Sequence, residues 1–198
     1  MPRAQHITVT VYDRAARSVV AALTSAATSD ALKHVAGRAG ANTVKTHLRG
    51  LEATRPNRLG GTRSHWYAGA ARATSHRTAP DGAIVSVSQV GFRMRLLGGT
   101  ITPKRRKALT IPARPEAYGR TAREIPNLFV LRWRGGKKAA LARREGKTLR
   151  IWFWLVKRAT IRPDPSLLPT SAAIGSAVRR AIDSFLARQI QRAQKPPR

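Results

Sequence analysis

Residues 149–156 read Leu149-Arg150-Ile151-Trp152-Phe153-Trp154-Leu155-Val156, an almost unbroken apolar run the length of one β-strand. Alternation puts Ile151, Phe153 and Leu155 on one face and Trp152, Trp154 and Val156 on the other, so both faces need a protein cover. Just upstream, Phe129, Leu131 and Trp133 alternate with Leu128, Val130 and Arg132, Gly135-Gly136 turns the chain, residues 139–144 return, and Glu145-Gly146 turns it again. The pattern predicts a three-stranded antiparallel meander. A helix or a neighbouring subunit is expected to cover one of its faces.

Before the meander, residues 98–112 change character. Gly98 and Gly99 permit a sharp change of direction, Ile101 and residues 109–111 suggest two strand pieces, and Pro103, Lys104, Arg105, Arg106 and Lys107 form a charged tip between them. This is the pattern of an extended β-arm. Pro112 and Pro115 then keep the chain out of helix, and residues 117–124 read as a surface excursion.

Helical periodicity dominates the two ends. Val19, Val20, Leu23 and Ala27 fall on one stripe, with Asp13 placed to cap that helix, after a short strand at Ile7, Val9 and Val11. Ser29 or Asp30 caps a second helix carrying Leu32, Val35, Ala39, Val44, Leu48 and Leu51, whose middle Gly37 and Gly40 weaken by about 1 kcal/mol each, marking a place for a break. Residues 54–82 read as a loop, a short helix at residues 64–74 containing Trp66 and Tyr67, and a turn at Pro80-Asp81-Gly82. Residues 84–90 form a strand, which Phe92, Met94 and Leu96 either continue or follow as a helical turn. Pro163, Pro165 and Pro169 precede a final helix with the stripe Ile174, Val178, Ile182, Phe185, Leu186 and Ile190, and residues 194–198 form a basic tail. The fold class is α+β: an antiparallel β-sheet with a projecting β-arm, packed against amino-terminal and carboxy-terminal helices in a single domain over residues 1–198.

The chain has 198 residues, with 38 Lys or Arg against 9 Asp or Glu, a formal charge of +29. Residues 103–150 form the basic pole, with 15 basic and 3 acidic side chains. Codon bias toward Arg does not explain so few acids, and the deficit points to an anionic partner. The absence of cysteine excludes disulfides, thiol nucleophiles and cysteine-based zinc sites. There is no secretion signal and no apolar run near the roughly 18 residues of a membrane span, so no membrane association is expected.

No catalytic residues, metal or cofactor are expected. No Gly-x-Ser-x-Gly elbow occurs, His65, His76 and Asp81 lack metal-ligand spacing, and Gly98–Thr100 and residues 135–138 lack the spacing of a phosphate loop. The positive signal is basic: Lys104 to Lys107 with Arg132, Arg134, Lys137, Lys138, Arg143 and Arg144 could meet phosphates without reading bases, or an acidic protein, or solvent alone. The four tryptophans Trp66, Trp133, Trp152 and Trp154 sit in apolar patterns that favour core or subunit interface over base stacking.

The stretch Leu97-Gly98-Gly99-Thr100-Ile101-Thr102-Pro103-Lys104, followed by Ala108-Leu109-Thr110-Ile111-Pro112, resembles the arm of the phage virion morphogenesis family, the tail completion and neck proteins of Mu-like and related tailed bacteriophages. The order of elements is similar too, from a Trp-containing helical segment at Trp66 to a Leu-Phe-Val strand at residues 128–130 and a Pro-rich link at residues 162–169 before the closing helix. The chain departs from the family in its very high charge and its long 54–82 region. The resemblance implies a non-enzymatic structural protein of the virion neck, assembled in the host bacterial cytoplasm as a homo-oligomeric, assumed hexameric, ring. That ring completes the tail and joins it to the head around a channel for double-stranded DNA, next to other neck and tail proteins. Gly98, Gly99, Thr100, Ile101, Pro103, Lys104, Arg105, Arg106 and Lys107 are then the inter-subunit or inter-ring arm, and Arg132, Arg134, Lys137, Lys138, Arg143 and Arg144 the contacts to channel DNA or acidic protein. The alternative from another class is a free, non-specific nucleic-acid-binding protein.

Overall fold

The computed structural model describes residues 14–57, 59–61, 63–133 and 138–194. The expected strand at Ile7 to Val11, the expected helix cap Asp13, the Gly135-Gly136 turn and the tail beyond Gln194 lie outside them. In chain order the helices are α1 (Arg14–Thr28), α2 (Asp30–Thr54), α3 (Trp66–Arg72), α4 (Phe92–Leu97) and α5 (Ser171–Gln194). The strands are β1 (Thr74–Ala79), β2 (Gly82–Val87), β3 (Gly99–Ile101), β4 (Leu109–Pro112), β5 (Phe129–Arg132), β6 (Ala139–Glu145), β7 (Thr148–Val156) and β8 (Ala159–Ile161). Helices and antiparallel sheets make the fold α+β. The chain divides into two compact units, one built from Met1–Asn42, His76–Val85 and Ser171–Arg198, the other from Thr43–Ser75 and Ser86–Thr170.

In the first unit α1 packs along α5. The expected stripe of α5 from Ile174 to Ile190 is half-buried, and Arg179, Arg180 and Arg188 are exposed. Ser29 is the cap of α2: its hydroxyl accepts from the Leu32 amide at 3.2 Å, satisfying a first-turn donor. The expected break in α2 does not occur. Gly37 is buried in an unbroken helix, and a Cβ there would stand 2.7 Å from His76 Cδ2 and 2.8 Å from Ala83 Cβ. One at Gly40 would meet Val85 Cγ2 at 3.3 Å. The glycines therefore admit the β1–β2 hairpin onto the helix, a packing requirement that outweighs their poor helix propensity.

The second unit holds the main sheet, ordered β4-β7-β6-β5 and antiparallel throughout. The predicted meander is β5, β6 and β7. Its alternation is interrupted, because Leu141 pairs with Phe153 while the next residue, Ala142, pairs with Ile151, leaving Trp152 as a bulge. Trp152 and Phe153 consequently both enter the core cluster with Ala117 and Ile125, and Ile151 moves to the face of Trp154. Residues 117–124 run along the surface as expected, with Tyr118 to Thr121, Arg123 and Glu124 exposed, but they also form that cluster's lid: Ala117 is fully buried, and Ala122 and Leu128 pack against it. A capping box between Thr121 and Glu124 fixes the turn Ala122–Glu124 inside this lid.

One open reading is decided and one expectation changes. Phe92 to Leu97 is a helix, with Phe92 stacked 6.0 Å from Trp66 and Arg95 over the same indole at 4.0 Å. The residues before the Pro80-Asp81 turn form the strand β1 where continuation of the preceding helix to Thr74 was expected.

Candidate functional site

The strand register sorts the side chains of the main sheet into two faces. On one, Phe153, Leu141 and Trp152 lie beneath the lid. On the other, Ile111, Trp154, Ala140 and Leu131 form a row across four strands, with Phe129, Ala142 and Ile151 in a second row. Trp133 stacks on Trp154 at 5.9 Å between ring centroids. Ala140 and Ala142 are fully buried between larger neighbours, yet Phe129 is 43% exposed, Trp133 39%, Trp154 39% and Ile111 38%. One face thus has its protein cover and the other keeps an open apolar surface.

The arm pieces do not pair with each other. β3 pairs with β8, Ile101 opposite Ala159, and β4 pairs with β7, Leu109 opposite Val156. Residues 98–112 therefore run alongside residues 153–161 as one interrupted ladder, with residues 102–108 looping out opposite Lys157 and Arg158. The charged tip is this loop and not the end of a hairpin. Gly98 and Gly99 have φ of 73° and 148°, and a Cβ would sit 2.9 Å from Ile161 O at the first and 2.6 Å from Met94 Sδ at the second. Both glycines hold the start of the ladder tightly against its neighbours. Thr100 Oγ1 lies 3.4 Å from Thr160 Oγ1 across the pair.

Lys104, Arg105, Arg106 and Lys107 are exposed, as are Lys157 and Arg158. Beneath the loop is a groove of about 340 Å³, floored by Ile101, Pro103, Ala108, Leu109, Ile111 and Ala159 and rimmed by Lys104, Arg105 and Arg106. Ile111 belongs both to this groove and to the open apolar row.

The described members of the second basic group have different surroundings. Arg132 and Lys138 are exposed at the end of the sheet near Trp133, whose amide donates to the Lys138 carbonyl at 3.3 Å. Arg143 is half-buried, donates to Glu145 at 2.6 Å and lies over the Trp152 ring at 4.6 Å. Arg144 follows Arg143 in β6 and alternates to the opposite face, exposed. Arg134 and Lys137 lie outside the described residues. Hydrogen bonding from Arg143 holds the Glu145 carboxyl below its ordinary range, and Arg114 does the same for Glu116. These arginines are thus committed to internal pairs.

Sequence periodicity gave no sign of a cluster at the far end of α2. Arg55 donates to Asp164 Oδ2 at 2.7 Å and to Tyr67 Oη at 3.4 Å. Ser166 Oγ donates to Asp164, and His47 Nε2 lies 2.9 Å from the Ser166 carbonyl. The hydrogen bond from Ser166, with that from Arg55, keeps the Asp164 carboxyl below its usual range. The group pins the Pro-rich link to the helix. The only advance signals were an arginine at a helix end and an aspartate between prolines, 109 residues apart.

Of the weighed histidines, His65 Nδ1 stands 3.0 Å from Glu52, and His76 Nε2 stands 3.3 Å from His34 Nδ1. Among the described residues no three His, Asp or Glu side chains group as metal ligands, and no helix is long and apolar enough to cross a membrane. Comparison with family models, with curated proteins and with solved structures finds no match to the chain.

Proposed function

We propose that the chain is a structural protein of a phage neck, closing as a homo-oligomeric ring that completes the tail and joins it to the head around the DNA channel. The observation that carries this reading is the open apolar row Ile111–Trp154–Leu131 with Trp133 stacked upon it. An exposed apolar surface of this kind marks a protein interface. Ring closure would bury it without leaving the edge strand β5 open to indiscriminate pairing. The motif-level likeness of residues 97–112 to the virion morphogenesis family supplies the kind of assembly. The arm contacts the adjacent subunit or the next ring, and the exposed Arg132 and Lys138 face the DNA or an acidic neighbour. A charge of +29 per copy favours an anionic neighbour, since closely packed copies would otherwise repel one another.

Mass spectrometry of purified particles of the source phage tests this. The protein should be present in every tailed particle at a fixed ratio to the other neck proteins. Absence from particles, with salt-sensitive binding of the lone chain to DNA or RNA, would instead establish the free nucleic-acid-binding protein that the exposed cations of the 102–108 loop also suit.

A further inference from the structure

The groove under the 102–108 loop combines two features that select different parts of one ligand. Its floor is apolar, and its surroundings are cationic without relief: no Asp or Glu occurs between Asp81 and Glu116 or between Glu145 and Asp164. Lys104, Arg105 and Arg106 line it, Lys107 completes the same loop, Lys157 and Arg158 lie between β7 and β8, and none of the six is paired with a carboxylate among the described residues. β3 and β4 are both edge strands, so the groove opens beside backbone groups that an extended segment can pair with.

We infer that this groove docks an extended acidic segment of a different protein, one or two apolar side chains seated on Ile101, Leu109 and Ile111 and its carboxylates meeting the cationic rim. A second copy of this chain does not qualify. Its nine acids are scattered, no two closer than Glu116 and Glu124, so it offers no acidic segment. Nucleic acid fits less well, because phosphates would engage the rim while the apolar floor, which holds no aromatic ring for a base, stayed unburied. Of the two contacts proposed for the arm, the inference keeps the one to a different protein and drops the adjacent subunit from this groove, and it needs only the groove and not the ring.

Fluorescence anisotropy with the full chain tests it, using a labelled peptide rich in Glu with a central Leu and Phe, the same peptide with Ser at those two positions, and a short DNA duplex. Seating an apolar side chain predicts binding of the first about tenfold or more tighter than the second. Ile101→Ser, at a half-exposed position, should bring the first peptide down to the second and leave the second unchanged. Lys104→Glu with Arg105→Glu, on the exposed loop, should weaken both by about tenfold or more. Equal affinity of the two peptides on the unaltered protein, or tighter binding of the duplex than of either, overturns the inference without reference to any variant. Sedimentation of the same samples separates the two proposals: peptide capture by a protein that stays monomeric sustains the groove and removes the ring.

Discussion

Replacing Gly37 by Ala should destabilise this protein, while the same change at Gly50 in the same helix should stabilise it. In a helix interior, Ala is favoured over Gly by about 1 kcal/mol, and at Gly50 nothing lies within 4 Å of the new methyl group. Gly50→Ala should therefore gain about 0.5–1 kcal/mol, the lower value reflecting its place one turn from the helix end. At Gly37 the methyl would overlap two atoms at once, His76 Cδ2 at 2.7 Å and Ala83 Cβ at 2.8 Å. The imidazole is held against His34, 3.3 Å between nitrogens, and the Ala83 Cβ moves only with its strand. Overpacking of this kind costs about 1–3 kcal/mol, and a strand-borne obstacle places it in the upper half. After the propensity gain, Gly37→Ala should lose about 1–2 kcal/mol, so the two variants should differ by about 1.5–3 kcal/mol. Urea unfolding followed by far-UV circular dichroism measures both. Equal stabilisation by the two substitutions would refute the packing of the hairpin on α2 and restore Gly37 as a mere weak point.

Further expectations follow from the second unit. Phe153→Ala removes a side chain buried to 1% exposure under the lid and should cost about 3–5 kcal/mol in a urea melt, whereas Val130→Ala, at 53% exposure on the edge strand, should cost under 1 kcal/mol. Asp164→Asn should cost no more than about 1 kcal/mol at neutral pH, because the carboxylate is 37% exposed and solvent screens its pairing. The folded-state pKa of Asp164 lies below its unfolded value, so the stabilisation is present above the unfolded value and is lost as pH falls through the folded one. The variant's thermal stability should accordingly fall less than the parent's between neutral and strongly acidic pH. Gly99→Ala, forced to φ 148° and onto Met94, should loosen β3 from β8 and raise amide exchange at residues 99–101 and 159–161 while leaving β5 and β6 protected.

The elements that were legible in the sequence are those with a local signature. The meander declared itself through period-two apolar residues between Gly turns, and α5 through an apolar stripe with arginines outside it. Ser29 could be read as a cap because capping involves only residues three apart. What escaped was non-local. Gly37 and Gly40 look identical to weak points until the hairpin that needs their small size is folded against them. The Trp152 bulge cannot be seen in an unbroken apolar run, since alternation assumes one residue per partner, and the strand partner decides where it slips. β1 carries Thr, Ser, His and Arg instead of an apolar face, and it is a strand because β2 pairs with it. The lid around Ala117 reads as surface because its prolines and charges advertise a loop, although its small residues fill the space above Phe153. In the candidate site, the charged tip and the apolar strand were each readable alone. The ladder that sets Ile101 and Ile111 beneath Lys104 to Arg106 needed the pairing of β3 with β8 and β4 with β7.

The central claim is that the open apolar row is a contact between copies. Native mass spectrometry of the full chain tests it most directly, run beside a Trp133→Ser, Trp154→Ser variant whose circular dichroism matches the parent. The account predicts one discrete closed multimer for the parent and monomer for the variant, because two half-exposed indoles at the centre of an interface carry much of its energy. A parent that remains monomeric at high concentration, or a variant that assembles as the parent does, would contradict it.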